Sequence, residues 1–231
     1  MPSNLAYHGS LGDHFNANAA NSAYNAHIDR PAMLELAGDV TGQRILDAGC
    51  GAGFYAAALA DRGASVLGLE DSTALVEHAR TRVGDRAKIR QHDLNTPLDG
   101  LADGSFDGVL CALVLHHLAD RPRFLGEVFR VLRPGGWLVL STTHPTADWQ
   151  HFEDSYFSAD WVDLAVRGTP HSVRFQRMNL EVLLGELLGA GFVLERLVEP
   201  RPVEALRDLD ADRYAQLVHR PTLLAVRLRR P

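Results

Sequence analysis

The 231 residues suffice for one domain with a full core, with or without a small cap, and their 46% hydrophobic content is that of an ordinary globular chain. A formal charge of −6 argues against nucleic acid or an anionic membrane as partner, and Arg227, Arg229 and Arg230 at the C-terminal end are too few to make a basic face. Cys50 and Cys111 lack metal or redox spacing, and no apolar run has membrane length or the form of a signal peptide, so a reduced cytoplasmic protein is expected.

Residues 1–30 are polar and rich in asparagine (Asn4, Asn16, Asn18, Asn21, Asn25), interspersed with His8, His14, Phe15 and Tyr24. Two expectations fit: a mobile extension with one or two short helices, or a flap that brings Tyr24 over a ligand. A short helix over 32–36 then leads into an alternation of elements. Apolar β-like runs occupy 44–48, 65–70, 88–92, 107–112 and 137–143, separated by helical patterns over 53–62, 73–83 and 121–132. Such alternation predicts a parallel sheet with right-handed crossovers. Arg133-Pro134-Gly135-Gly136 ends the third of these helices and supplies a turn. Residues 144–176 carry Trp149, Phe152, Tyr156, Phe157 and Trp161 without a clear period, and an insert of that length is expected to be functional. The alternation resumes with a helix over 177–190, a strand over 192–198, a helix over 203–218 and a last strand over 222–229. Residues 31–231 therefore read as one domain with a covering insert at 144–176.

Residues 45–53 read ILDAGCGAG, and seventeen positions later a second apolar run ends in Glu70. Glycines between a strand and a helix let backbone amides approach a ligand where any Cβ would clash. A carboxylate closing the next strand can accept from two neighbouring hydroxyls. The dinucleotide fingerprint spaces its third glycine one residue further on, where this chain has Phe54. The pattern therefore favours S-adenosylmethionine (SAM) over NAD. Asp93 and Leu94 follow the 88–92 run at the same carboxyl edge, where the acid can accept from an adenine amine and the leucine can cover the ring.

These motifs resemble class I SAM-dependent methyltransferases, in the broad group that includes the ubiquinone- and menaquinone-biosynthesis enzymes. The resemblance runs from about residue 44 to 143, through ILDAGCGAG, GLEDS at 68–72, HDL at 92–94, DGSFDGVLCALVLHHLAD at 103–120 and RVLRPGG at 130–136. It implies a Rossmann-like α/β fold: a seven-stranded, mostly parallel sheet with an antiparallel last strand and helices on both faces. It further implies that Asp47, Gly49, Gly51 and Gly53 surround the methionine and ribose portions, and that Glu70 holds the ribose hydroxyls. By the same resemblance Asp71 and Ser72 lie beside the adenine, Asp93 and Leu94 on its edge and face, and Leu113 offers its backbone to the amino-acid moiety.

Methyl transfer from a sulfonium is an in-line displacement on an activated donor, so positioning dominates and can contribute roughly 7–11 kcal/mol. A general base matters for acceptors that hold a proton at neutral pH, where it adds roughly 10²–10⁴-fold. His116, His117 and His144 are the candidates. Only one of the adjacent pair is expected to face the pocket, and His116 is the preferred one. Tyr156 is a candidate to orient an acceptor hydroxyl, with Trp149 and Trp161 stacking on a flat acceptor, and residues 199–202 are expected to shape the far wall. His144, His151 and Asp154 lack metal-ligand spacing, so no metal is expected. The expected activity is methyl transfer to an oxygen, nitrogen or carbon nucleophile of a small molecule, by a monomer or homodimer. The alternatives are a SAM-binding protein of the same fold with a non-methylating reaction, and an NAD-dependent oxidoreductase. The second lacks a Tyr-x-x-x-Lys pair, since Lys88 is the only lysine.

Overall fold

The apolar runs expected as strands assemble into one sheet. Residues 7–166 and 169–231 are described in this structure, a computed structural model; the first six residues of the expected flap, Asn4 included, and positions 167–168 of the insert lie outside the described residues. In chain order the strands are Arg44–Ala48 (β1), Ser65–Glu70 (β2), Lys88–Gln91 (β3), Phe106–Ala112 (β4), Leu132–Thr143 (β5), Trp161–Ala165 (β6), Ser172–Gln176 (β7), Val193–Val198 (β8) and Leu223–Arg229 (β9). The main sheet has the order β3-β2-β1-β4-β5-β9-β8, and only β9 runs against its neighbours. Its β1 is buried at every position but the first, as a strand covered on both faces requires. The strand order reverses between β1 and β4, and an open α/β sheet leaves its ligand crevice at that switch point.

The helices are Ser10–Ala19 (α1), Arg30–Ala37 (α2), Phe54–Asp61 (α3), Thr73–Val83 (α4), Arg121–Val131 (α5), Pro145–Phe152 (α6), Leu180–Gly189 (α7), Glu204–Leu209 (α8) and Ala211–Leu217 (α9). Alternate strand residues feed two cores. Leu46, Leu138 and Leu140 pack with α5 and α7, whereas Ile45, Trp137 and Val139 pack with α2 and α3. Gly108 on β4 is required by this packing, because a Cβ there would enter the Trp137 ring. Gly108→Ala is therefore expected to cost about 1–3 kcal/mol in urea unfolding, the usual penalty of an overfilled core. No helix among the described residues is long and apolar enough to cross a membrane.

Several elements differ from expectation. Residues 133–136 form a bulged start of β5, where pairing jumps from Phe106–Leu132 to Gly108–Trp137, instead of a turn before it. The expected helix over 203–218 divides at Asp210, whose extended backbone breaks the run while its side chain accepts from the Arg213 amide at 2.9 Å to start α9. The insert holds α6 and the β6–β7 hairpin. At the N-terminus, α1 packs on α4 and a π-helical turn at Asn25–Asp29 runs straight into α2, so position 30 lies inside a continuous helical stretch.

Candidate active site

The glycine turn after β1 is shaped by three glycines with three tasks. Gly49 has φ +78°, and a Cβ on it would strike the Val114 side chain. Gly51, at φ +53°, donates its amide to Glu70 Oε2 at 2.9 Å. Gly53, at φ +81°, precedes α3, and its missing side chain lets that helix approach Ala79 of α4. The second oxygen of Glu70, Oε1, accepts from the Ser72 amide at 2.9 Å. Each carboxylate oxygen thus has one backbone donor and a lone pair to spare. Burial raises the Glu70 pKa, and the two amides oppose that rise.

These groups border a cavity of about 1030 Å³ at the switch point. Ligand pockets of roughly 300–1,000 Å³ are usual, so the space admits a nucleoside and a second small molecule. One end is lined by Glu70, Asp71, Asp93 and Leu94. Asp93 uses Oδ1 for the Asn95 backbone and side-chain donors at 2.8 and 3.0 Å, which leaves Oδ2 without a partner among the described residues. The next part of the wall carries Asp29, Arg30, Phe54 and Tyr24. Asp29 bonds the Tyr55 hydroxyl, yet among the described residues its Oδ1 and the Nε of Arg30 are buried without partners. Burial pushes the Asp29 pKa up to about 6 and lowers that of Arg30. Tyr7 and Phe15 of the N-terminal segment, and Phe152 and Phe175 of the insert, line the remainder with apolar surface.

Nine of the expected site residues lie on this wall: Tyr24, Gly49, Gly51, Glu70, Asp71, Asp93, Leu94, Leu113 and His116. Tyr24 is held there by Arg213, whose Nη2 donates to the tyrosine hydroxyl at 2.6 Å. Leu113 has φ +57°, and its amide is committed to Ser141 (backbone oxygen 3.0 Å, Oγ 3.2 Å), so only its carbonyl remains for a ligand. A left-handed leucine costs about 1–2 kcal/mol, and this one sits where backbone strain often collects, beside a site.

Five of the expected residues lie off this wall. Asp47 is buried behind the turn, with neither carboxylate oxygen hydrogen-bonded among the described residues. Burial raises its pKa to about 7; the Glu70 charge adds to this and the nearby Ala56 amide, short of hydrogen-bond geometry, opposes it. Gly53 is used for packing of α3 on α4, and Ser72 is the cap of α4 with its hydroxyl donated to the Tyr7 carbonyl at 2.6 Å. His144 caps α6: its Nδ1 accepts from the Thr146 amide at 3.2 Å, and its Nε2 lies 3.0 Å from Glu199, so both ring nitrogens are engaged off the cavity. Tyr156 accepts from the Leu180 amide at 3.3 Å and packs edge-on against Trp149 and Phe157, a cluster of the insert's own. Trp161 and residues 199–202 also stay off the wall.

The histidine pair departs from expectation for a geometric reason. Leu115–His117 is a 3₁₀ turn rather than α-helix, and both His116 and His117 line the cavity. His116 Nδ1 is 2.9 Å from Thr142 Oγ1, and His117 Nδ1 is 2.8 Å from the Arg174 carbonyl. Asp29 and Arg30 are wall residues that sequence reasoning did not single out. Their only local signal is a charged pair before Pro31, which also describes any exposed helix start.

Residues 46–140 match the methyltransferase domain family. The demethylmenaquinone methyltransferase of Beutenbergia cavernae is 36% identical over 127 residues, 55% of this chain and 51% of that protein. The ubiquinone biosynthesis O-methyltransferase of Thiobacillus denitrificans is 34% identical over 120 residues, 51% of this chain and 52% of that protein. The chain thus spans about half the length of these relatives. An S-adenosylmethionine-dependent methyltransferase from Mesorhizobium loti superposes with a TM-score of 0.71 at 27% identity, covering 92% of this chain and all of the other (100%).

Proposed function

We propose that the chain, whose residues 46–140 match the methyltransferase domain family, transfers the methyl group of SAM to an oxygen, nitrogen or carbon nucleophile of a small molecule. The observation that carries this is Glu70: a buried acid on the cavity wall, anchored by the Gly51 and Ser72 amides with its outer lone pairs open to a pair of hydroxyls. SAM supplies an electrophilic methyl on a sulfonium. Every other requirement falls to the protein.

Glu70 grips the ribose, and Asp93 Oδ2 accepts from the adenine amine while Leu94 covers the ring. Arg30 and Asp29 face an amino-acid tail that bears one carboxylate and one ammonium, which suits an unpartnered guanidinium nitrogen beside an unpartnered carboxylate oxygen. Asp47, behind the turn, acts through its field on the net positive ligand. The N-terminal segment forms a flap, with Tyr7 and Phe15 keeping water off, and the insert covers the acceptor with Phe152 and Phe175. Its place of action is the cytoplasm and its acceptor is not a nucleic acid, in keeping with the charge of −6.

Incubation with methyl-labelled SAM and a panel of small hydroxylated and amine acceptors, followed by S-adenosylhomocysteine release, tests this. Label transfer supports the reading; failure of S-adenosylhomocysteine to bind in calorimetry overturns it. Arg30→Ala is expected to weaken SAM binding at least tenfold in the same calorimetry, because a charged hydrogen bond contributes about 1.5–3 kcal/mol.

A further inference from the structure

Two imidazoles sit side by side on the cavity wall, with ring centroids 4.2 Å apart, and their surroundings differ in a way that separates their chemistry. We propose that His117, held by the β6–β7 hairpin, is the general base of the reaction and takes the proton of a phenol-type hydroxyl acceptor. This rests on the methyltransferase reading above and adds to it a residue and an acceptor class.

The hydrogen bond from His117 goes to the Arg174 carbonyl, which can only accept. Nδ1 therefore carries the proton, and Nε2 holds the lone pair that a base needs. No group among the described residues bonds Nε2. The same carbonyl stabilises the ring once it becomes cationic, which partly offsets the loss of solvation that lowers the His117 pKa.

His116 lacks this support. Its Nδ1 partner is the Thr142 hydroxyl, which donates or accepts equally well and leaves the tautomer open. The ring is buried at 5% exposure, close to the Arg121 charge, and burial drives its pKa well below 6.5. A cation at His116 would have only the Thr142 hydroxyl to accept from it, a weaker support than a backbone carbonyl, and the Arg121 charge would oppose it. Tyr7 stands edge-on to His117 at 6.2 Å with its phenol neutral, since burial pushes its pKa up to about 12. The Arg121 guanidinium is tied to Glu186 at 2.7 Å.

The acceptor class follows from base strength and wall chemistry. A histidine with a depressed pKa is a weak base, and a phenol with pKa near ~10 is within its reach where an aliphatic alcohol is not. Phe152, Phe175, Val173 and Leu164 supply an apolar bed for a ring. As the acceptor oxygen bonds the methyl carbon, the carbon–sulfur bond breaks and its electron pair stays on sulfur. The hydroxyl proton passes to Nε2 of His117, and water removes it from the imidazolium after product forms.

Two measurements on the protein saturated with S-adenosylhomocysteine test this. In ¹⁵N-histidine-labelled protein, the His117 signals, assigned by their loss in His117→Gln, are expected to show Nδ1–H with an unprotonated Nε2. With 4-nitrocatechol at a pH below the probe's own ionisation, wild type is expected to show the bound phenolate absorption band. His117→Gln, whose amide can keep the Arg174 bond, is expected to lose that band at least tenfold while binding S-adenosylhomocysteine normally. An Nε2–H tautomer, a phenolate band that survives His117→Gln, or no binding of the probe overturns the proposal. Loss of S-adenosylhomocysteine binding in wild type strikes the underlying reading instead.

Discussion

Glu70→Ala is expected to lower SAM affinity about a hundredfold. The carboxylate would make two charge-assisted bonds to the ribose, and a loss of about 1.5 kcal/mol for each sums to about 3 kcal/mol, or two decades of affinity. The same substitution strips the acceptor from the Gly51 and Ser72 amides, so the glycine turn and the start of α4 lose their common anchor. Glutamine does not rescue: its amide nitrogen would turn a donor toward one of two donors. Aspartate is one methylene shorter and cannot span both amides, so an intermediate loss is expected. Calorimetry on folded variants decides this, and affinity within threefold of wild type for Glu70→Ala would remove the residue from the nucleoside site.

Asp47→Asn is expected to stabilise the ligand-free protein at pH 8 while weakening SAM binding. The Asp47 carboxyl is displaced from 3.8 to about 7 by burial, with Glu70 adding to the effect. Below pH 4 both folded and unfolded chains hold the proton and no cost arises. Between pH 4 and pH 7 the unfolded chain ionises first, the native state binds more protons, and stability falls as pH rises. Above pH 7 the full cost is present, about 4 kcal/mol at ~1.4 kcal/mol per pH unit. Asparagine removes the charge but leaves a buried amide short of partners, at about 1–3 kcal/mol, so the net gain at pH 8 is expected near ~2 kcal/mol. At pH 4 the variant should be no more stable than wild type, and less so if the amide stays unpaired. Asp29 and Asp148, both raised by burial to about 6, give the wild type the same downward slope across this range. SAM carries a net positive charge, so loss of the buried anion should weaken it at least tenfold. Urea unfolding at pH 4, 6 and 8 reads the slope; an unchanged slope in Asp47→Asn would mean that Asp47 ionises in the native protein as readily as in the unfolded chain.

How far the sequence was legible depended on whether a feature is local. The first two strands were bounded correctly because each is a short, mostly apolar run between turn residues, as burial on both faces of a parallel sheet requires. Glu70 was legible for the same reason, standing at the end of such a run. The insert was not. In β7 the alternation of Val173 and Phe175 with exposed neighbours was there to be found, but β6 is mostly exposed and offers no period. Its aromatic residues looked like a stacking platform, yet Tyr156 and Trp149 pack on each other and the cavity receives Phe152 and Phe175. Composition counts aromatic rings without saying which way a hairpin turns them.

By itself the sequence determined the sheet, its carboxyl edge, the glycine turn and the acid beyond it, because each follows from residues adjacent along the chain and from rules of backbone geometry. Tertiary structure alone decided the chemistry at that edge. Which histidine nitrogen is open depends on a carbonyl 57 positions away, and Asp29, Arg30 and Asp47 owe their shifted pKa values to distant segments that close over them and withhold water. Solvation and hydrogen-bond partners are set by what comes near in space, and no stretch of sequence carries that information locally.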